Sequence, residues 1–132
     1  MIIVEGKIKG KDRPRFFKGH TYTPKASKDY EKIVKDKYIE QGGKLLETPV
    51  KVNIIVWHKI PKATTKKELA EIRRGLKLPT KKPDIDNVAK IILDGLNGVA
   101  FKDDTQVVKL TIVKKFTESI ECVEFEVNEY KA

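Results

Sequence analysis

The sequence is poor in the residues that build disulfide frameworks and zinc sites, and it contains no long apolar run. It has one cysteine, Cys122, and two histidines, His20 and His58. A lone cysteine excludes an internal disulfide, and two distant histidines without a cysteine pair give no zinc-binding spacing. Nowhere do about 18 apolar residues follow one another, and Glu5 comes too early for a secretory signal. We therefore expect a soluble, cytoplasmic protein that is not bound to a membrane.

The chain also lacks linker-like sequence, and this limits its architecture. With 132 residues it is large enough for one hydrophobic core and too small for two. No segment changes in composition as a linker between domains would. We expect residues 1–132 to form a single domain of the α+β class.

Positive charge is what the sequence has in abundance, with a net charge of +9. Residues 1–37 carry 11 Lys and Arg against 5 Asp and Glu, and residues 59–82 carry 9 against 2. Residues 83–132, by contrast, carry 6 basic and 10 acidic side chains. Two basic blocks of this kind suit the neutralisation of nucleic-acid phosphates, although an ordinary solvated surface explains such runs about equally well.

Apolar periodicity predicts an α+β order of elements. Strands are expected over residues 2–8, over Val50–Val56, and over Val108–Ile112 and Val123–Val127, the last two as an antiparallel hairpin. Helices are expected from an N-cap at Ser27 to Gly42-Gly43, over residues 65–77, and from Asp86 to Asn97 with Gly98 at the C-terminal end. Apolar residues of the strand over Val50–Val56 alternate on one face, and Ile55 and Trp57 indicate that the second face is partly covered too, which predicts a central position in the sheet.

Residues 9–20 mix glycine, proline, cations and two aromatic residues, which predicts a loop that meets a polyanion. Phe16 and Phe17 could stack on bases or sugars there. The alternative is that at least one of them packs onto the core. The candidate DNA-binding cations of the two basic blocks are Lys11, Arg13, Arg15, Lys81 and Lys82.

Carboxylates within this basic sequence form the strongest chemical signal. Asp84 and Asp86 lie just before a helix, and Asp104 precedes a strand. The helix rises roughly 16 Å and the connection after it spans up to about 24 Å, so Asp104 can return to the helix start. Three adjacent carboxylates repel unless a cation offsets them, as Mg²⁺ held against a phosphodiester would. Lys90, on the same helix face as Asp86, would supply further positive charge.

Each of these residues also has an ordinary structural explanation. Asp84 or Asp86 could simply cap the helix, and Asp103-Asp104 could be turn residues. Lys90 could form a surface pair with Asp86 that contributes only a few tenths of a kcal/mol. The spacing therefore permits a metal site without establishing one.

The string Asp84-Ile85-Asp86-Asn87-Val88-Ala89-Lys90, continued by Asp94 through Val108, resembles the core motif of the RusA family of Holliday junction resolvases. The resemblance is strong from about Lys82 to Lys114 and looser elsewhere. It implies a RusA-like fold, a small α+β domain with helices packed on a mixed sheet. It also implies a homodimer that binds four-way junction DNA and, with Mg²⁺ or with Mn²⁺ in its place, nicks two strands of like polarity symmetrically.

Transferred to this sequence, the resemblance assigns the metal site to Asp84, Asp86 and Asp104, which are catalytic together with an essential lysine, Lys90. Asp104 is preferred to Asp103 because it directly precedes Thr105-Gln106-Val107-Val108. The implied enzyme is an endodeoxyribonuclease of DNA recombination and repair, of a kind that often occurs in prophages. Two other functions stay open: a non-catalytic basic DNA-binding module, and a metal-dependent nuclease for another branched DNA, for single strands or for RNA.

Overall fold

The computed structural model describes residues 1–132, with one four-stranded sheet, three α-helices and a separate two-stranded ribbon. The strands are β1 (Ile2–Glu5), β2 (Arg15–Phe17), β3 (His20–Tyr22), β4 (Val50–Lys59), β5 (Val107–Thr117) and β6 (Cys122–Glu129). The helices are α1 (Lys25–Glu40), α2 (Lys66–Arg73) and α3 (Ile85–Leu96), and a short 3₁₀ turn spans Asp104–Gln106. The α+β class with a mixed sheet, predicted from the sequence, is confirmed.

Strand β4 lies inside the sheet, as the partly apolar character of its second face predicted. The strand order is β1-β6-β4-β5, and β4 pairs antiparallel with β6 and parallel with β5. Alternate residues of β4 from Val50 to His58 are buried, and those between them are half-buried. Helices α1 and α3 supply the other side of the core, in which Val34, Ile91 and Leu96 join the β4 side chains.

The hairpin predicted from β5 and β6 does not form, because β4 lies between these two strands. Two alternating runs joined by a short polar link look the same in sequence whether they pair with each other or with the two edges of a third strand. Pairing on both edges of β4 satisfies the backbone N–H and C=O groups of this buried strand. Its parallel pair with β5 requires a long crossover, which α2 and α3 provide.

Three local predictions in the N-terminal half were wrong. Helix α1 has Pro24 at its N-cap, and Ser27 is instead buried, where its hydroxyl accepts the Asp12 N–H and donates to Asp12 Oδ2, both at 3.0 Å. The first strand ends at Glu5, since Gly6 has a φ of 113°. Part of the predicted loop forms the β2–β3 hairpin, whose Lys18-Gly19 turn has the two positive φ angles that a two-residue type I′ turn requires.

Candidate active site

Asp84 and Asp86 flank the first residue of helix α3. Asp84 occupies the N-cap position with extended backbone, but its side chain accepts no capping hydrogen bond. Asp86 lies in the first turn, at the positive end of the helix dipole, and both side chains are exposed. A capping role therefore does not account for the Asp84 carboxylate, whose oxygens are free to bind other groups.

The Asp103-Asp104 pair divides into a structural and a free carboxylate. Asp103 Oδ2 accepts the Thr105 N–H at 3.3 Å and so caps the 3₁₀ turn. The hydrogen bonds from Thr105 lower the pKa of Asp103 below its ordinary value. None of the hydrogen bonds or ion pairs of this turn uses the Asp104 carboxylate. This difference supports Asp104, and not Asp103, as the functional member of the pair.

Gln106 positions this turn, a role that the sequence pattern did not predict. Its Nε2 donates to the carbonyl oxygens of Leu46 and Thr48, both at 3.0 Å, and its Oε1 accepts the Lys102 N–H at 2.8 Å. These bonds fasten the turn that carries Asp104 to the segment entering β4. The sequence showed a glutamine after a turn, but it could not show that the carbonyls of residues 46–48 lie opposite.

Asp86, Lys90 and Asp104 line one cleft of about 470 Å³ between α3 and β5, the α3–β5 cleft. Its other walls are largely apolar and include Leu110 and Ile112 of β5. Lys90 belongs to none of the ion pairs of the structure, so a surface pair with Asp86 does not explain it. The fold thus brings three of the four predicted catalytic residues to one place.

Asp84 lines a neighbouring groove of about 540 Å³ between residues 7–12 and residues 81–84, the lysine groove. The lysines that line it are Lys7, Lys9, Lys11, Lys81 and Lys82. Gly10 lets the two walls meet, because a Cβ there would lie 2.9 Å from Pro83 Cβ. The Lys11 N–H also donates to the Asn87 carbonyl at 2.8 Å. The lysine groove is therefore built against the start of α3, beside the α3–β5 cleft.

The predicted DNA-binding cations differ in their availability. Lys11 Nζ lies 2.7 Å from Glu31 Oε2 and 3.1 Å from Asp94 Oδ2. Burial tends to lower the pKa of Lys11, but the hydrogen bonds to these two carboxylates raise it above its ordinary value. This geometry favours a structural role in which Lys11 joins α1 to α3. The remaining candidates have exposed side chains: Arg13, Arg15, Lys81 and Lys82.

His58, to which the sequence assigned no role, also lines the lysine groove. The residue is 1% exposed, and neither ring nitrogen has a hydrogen-bond partner. Glu121 Oε1 is 3.7 Å from Nδ1, too far for a hydrogen bond. Burial, together with Lys81 and Lys114, lowers the pKa of His58 to about 4. The imidazole is therefore neutral at pH 7.

The carboxylate oxygens of the candidate site suit Mg²⁺, although the protein side chains alone do not complete a coordination shell. No group of three or more His, Cys, Asp and Glu side chains converges closely enough to hold a metal ion. Mg²⁺ commonly takes only one or two carboxylates and completes its shell with water and substrate phosphates. Asp86 and Asp104 offer two hard oxygen donors in one cleft, and Asp84 lies at the adjoining helix start.

The fold and these two surfaces define a class of protein: a small cationic α+β domain with carboxylates beside a basic groove, suited to phosphodiester chemistry. Residues 5–128 match the family described as Endodeoxyribonuclease RusA, and the chain belongs to this endodeoxyribonuclease family. It is 33% identical over 119 residues to the "Uncharacterized protein YqaN" of Bacillus subtilis (strain 168), covering 88% of this chain and 82% of that protein. The resemblance drawn from the Asp84–Lys90 motif is confirmed over nearly the whole chain.

The same structure contains no helix with both the length and the apolar character needed to cross a membrane.

Proposed function

We propose that this protein is a Mg²⁺-dependent endonuclease that resolves four-way DNA junctions by paired symmetric nicks during DNA recombination and repair. The observation that carries the proposal is the α3–β5 cleft, which Asp86, Lys90 and Asp104 line together beside the lysine groove. Membership of an endodeoxyribonuclease family supports DNA as the substrate. The adjacent lysines support it further, since they can neutralise the phosphates on either side of a cut.

Asp86 and Asp104, with Asp84 at the helix start, would hold the divalent cation, Mg²⁺ or Mn²⁺. When bound there, such a cation supplies a water of lowered pKa and positive charge at the phosphate. Lys90 has no carboxylate partner, so its ammonium group is free to bind a phosphate oxygen in the same cleft. Lys81 and Lys82 would hold the strand in position by contacting phosphates along the lysine groove.

The active form that we propose is a homodimer. A four-way junction has two equivalent strands to cut, and a two-fold symmetric protein presents two equivalent sites. Strand β5 forms one edge of the sheet, where Val108 is 56% exposed and lies outside the lining of the α3–β5 cleft. An exposed edge strand is a surface that proteins normally cover, and a second copy of the chain would cover it.

A cytoplasmic location is the last part of the proposal. It is supported by the single half-buried thiol of Cys122, which leaves the fold without a disulfide. A prophage-type setting stays a prediction of the family resemblance.

The test compares cleavage of a labelled four-way junction, a linear duplex and a flap, each with Mg²⁺ and with EDTA. Wild type should cut the junction at two symmetric positions, only with Mg²⁺. Asp86→Asn and Asp104→Asn should each lower the cleavage rate at least about 100-fold and leave junction binding intact. Loss of a residue that only orients a metal ligand typically lowers activity about 10- to 100-fold, and loss of the ligand itself should have a larger effect. Asp103→Asn is the matched control, and it should still cut.

Other outcomes would redirect the assignment. Junction binding by wild type without any Mg²⁺-dependent cutting would favour the DNA-binding module. Preferential cutting of flaps would indicate a nuclease for another branched DNA. Unchanged cleavage by Asp86→Asn, or loss of its junction binding, would count against the proposed site.

A further inference from the structure

The β2–β3 hairpin is a surface that the proposed catalytic site leaves unused. It pairs with no strand of the main sheet, and every residue of its two strands is exposed. Phe16 and Phe17 are 73% and 63% exposed, so the alternative that at least one packs onto the core is wrong. Two adjacent phenyl groups in water forgo the stabilisation that burial would give, which indicates that a partner covers them.

The pleat of the hairpin places one phenyl group on each of its faces. Phe17 lies opposite His20, and Phe16 lies opposite Thr21, and successive side chains of a strand point to opposite faces. Lys18 Nζ lies 5.5 Å from the centre of the Phe17 ring. The hairpin is therefore a thin ribbon that presents an aromatic ring on either side, and such a ribbon can enter between two flat partners.

The charge around these rings selects the kind of partner. Residues 13–28 contain five cations and no acidic residue. The cations are Arg13, Arg15, Lys18, Lys25 and Lys28. A partner for this segment must carry negative charge and also offer flat apolar faces. Nucleic-acid bases on their phosphate backbone combine both properties, and bases stack on aromatic side chains next to basic residues.

The position of the hairpin brings it to the DNA that the proposed site would hold. The Lys11 N–H is bonded to the Asn87 carbonyl at the start of α3. From Lys11 to Arg15 the chain spans at most about 14 Å. The hairpin thus begins next to the lysine groove and within reach of the same DNA.

We propose that Phe16 and Phe17 stack on bases exposed where the DNA stack is interrupted, so that the hairpin recognises the branch point. In continuous duplex the base faces are covered by their neighbours, and an aromatic side chain has nothing to stack on. At a branch point the terminal pairs of the arms present free faces. This inference rests on the proposed function and adds the element that distinguishes branched from linear DNA.

The test measures binding of the whole protein to a four-way junction and to a duplex of equal length, in EDTA and at several salt concentrations. Phe16→Ala/Phe17→Ala should weaken junction binding on the order of 10-fold or more and leave duplex binding unchanged. The substitutions remove the stacking of the rings on the bases and do not change the charge of the hairpin. Phe16→Tyr/Phe17→Tyr should keep the junction preference. Arg15→Ala should weaken both complexes. It should also reduce the slope of the logarithm of the binding constant against the logarithm of the salt concentration by about one, the value expected for one phosphate contact.

Three results would overturn the inference. They are an unchanged junction preference in the alanine variant, an equal loss for junction and duplex, and an equal loss in the tyrosine variant. Thermal unfolding checks that each variant is folded, and sedimentation checks its oligomeric state, since a change there would show that the rings contact a second copy. Wild type that neither prefers nor cuts junctions would refute the proposed function itself, whereas a junction-cutting protein with an unaffected alanine variant would refute only the role of the hairpin.

Discussion

At the scale of single residues, His58 makes the free energy of unfolding depend on pH between its pKa values in the folded and the unfolded protein. Its pKa in the folded protein is about 4, and its ordinary value is 6.5. Between these values the unfolded chain binds more protons than the folded chain, so stability falls as the pH is lowered. Burial is the largest cause of the lowered pKa, and the positive charges of Lys81 and Lys114 strengthen it. The loss across the window is at most about 3 kcal/mol.

The measurement is chemical denaturation at about pH 7, above this window, and at about pH 5, within it. Wild type should lose stability between the two, and His58→Gln should lose much less. His20→Gln is the matched control, since His20 is exposed, and it should behave as wild type. An equal loss in His58→Gln would show that other groups are responsible.

Neighbouring charges in the sequence acquire different roles because their partners come from elsewhere in the chain. The spacing and the family resemblance singled out Asp86, Lys90 and Asp104, which share one cleft. Lys11 was grouped with the DNA-binding cations because its sequence environment is basic. Its ion pairs with Glu31 and Asp94 depend on how α1 packs against α3, which the local pattern could not show.

At the scale of elements, the packing of α1 against α3 depends on Gly95. A Cβ at this position would lie 2.9 Å from Val34 Cβ and 2.9 Å from the Glu31 carbonyl oxygen. In Gly95→Ala, overpacking should destabilise the protein by about 1–3 kcal/mol, and the higher helix propensity of alanine should offset about 1 kcal/mol of this. The net loss of stability should therefore be up to about 2 kcal/mol. Urea denaturation measures the change.

The partner in this contact can be tested with a double-mutant cycle. Val34→Ala removes part of the obstruction, so the double variant should be less destabilised than the sum of the two single variants by at least about 0.5 kcal/mol. Strict additivity would mean that the helices separate in Gly95→Ala and that Val34 is not the limiting contact.

The existence of most elements could be predicted from periodicity, and their pairing could not. Alternation located β4, β5 and β6, and Gly98, with a φ of 86°, lies just after α3 as predicted. The position of β4 between β5 and β6 follows from contacts between distant segments. The β2–β3 hairpin was not predicted, because strands of 3 residues are too short for a periodic signal.

At the scale of the whole molecule, folding brings lysines of the two basic blocks, which are far apart in the sequence, to one groove. Lys7 and Lys9 belong to the first block, Lys81 and Lys82 to the second, and all four line the lysine groove. Charge counting could predict a polyanion partner but not a groove. The groove depends on Gly10 meeting Pro83 and on the bond from Lys114 Nζ to the Lys81 carbonyl at 2.7 Å.

The two edges of the sheet provide a matched test of the proposed homodimer. Ile3 on β1 and Val108 on β5 are both exposed apolar residues of edge strands, and neither lines the α3–β5 cleft. If a second copy covers the β5 edge, Val108→Lys should sediment as a monomer, because a buried lysine without a partner is strongly unfavourable. Ile3→Lys should sediment as a dimer, like wild type. A dimeric Val108→Lys would place the interface elsewhere, and a wild type that is monomeric while it makes paired nicks would refute the dimer.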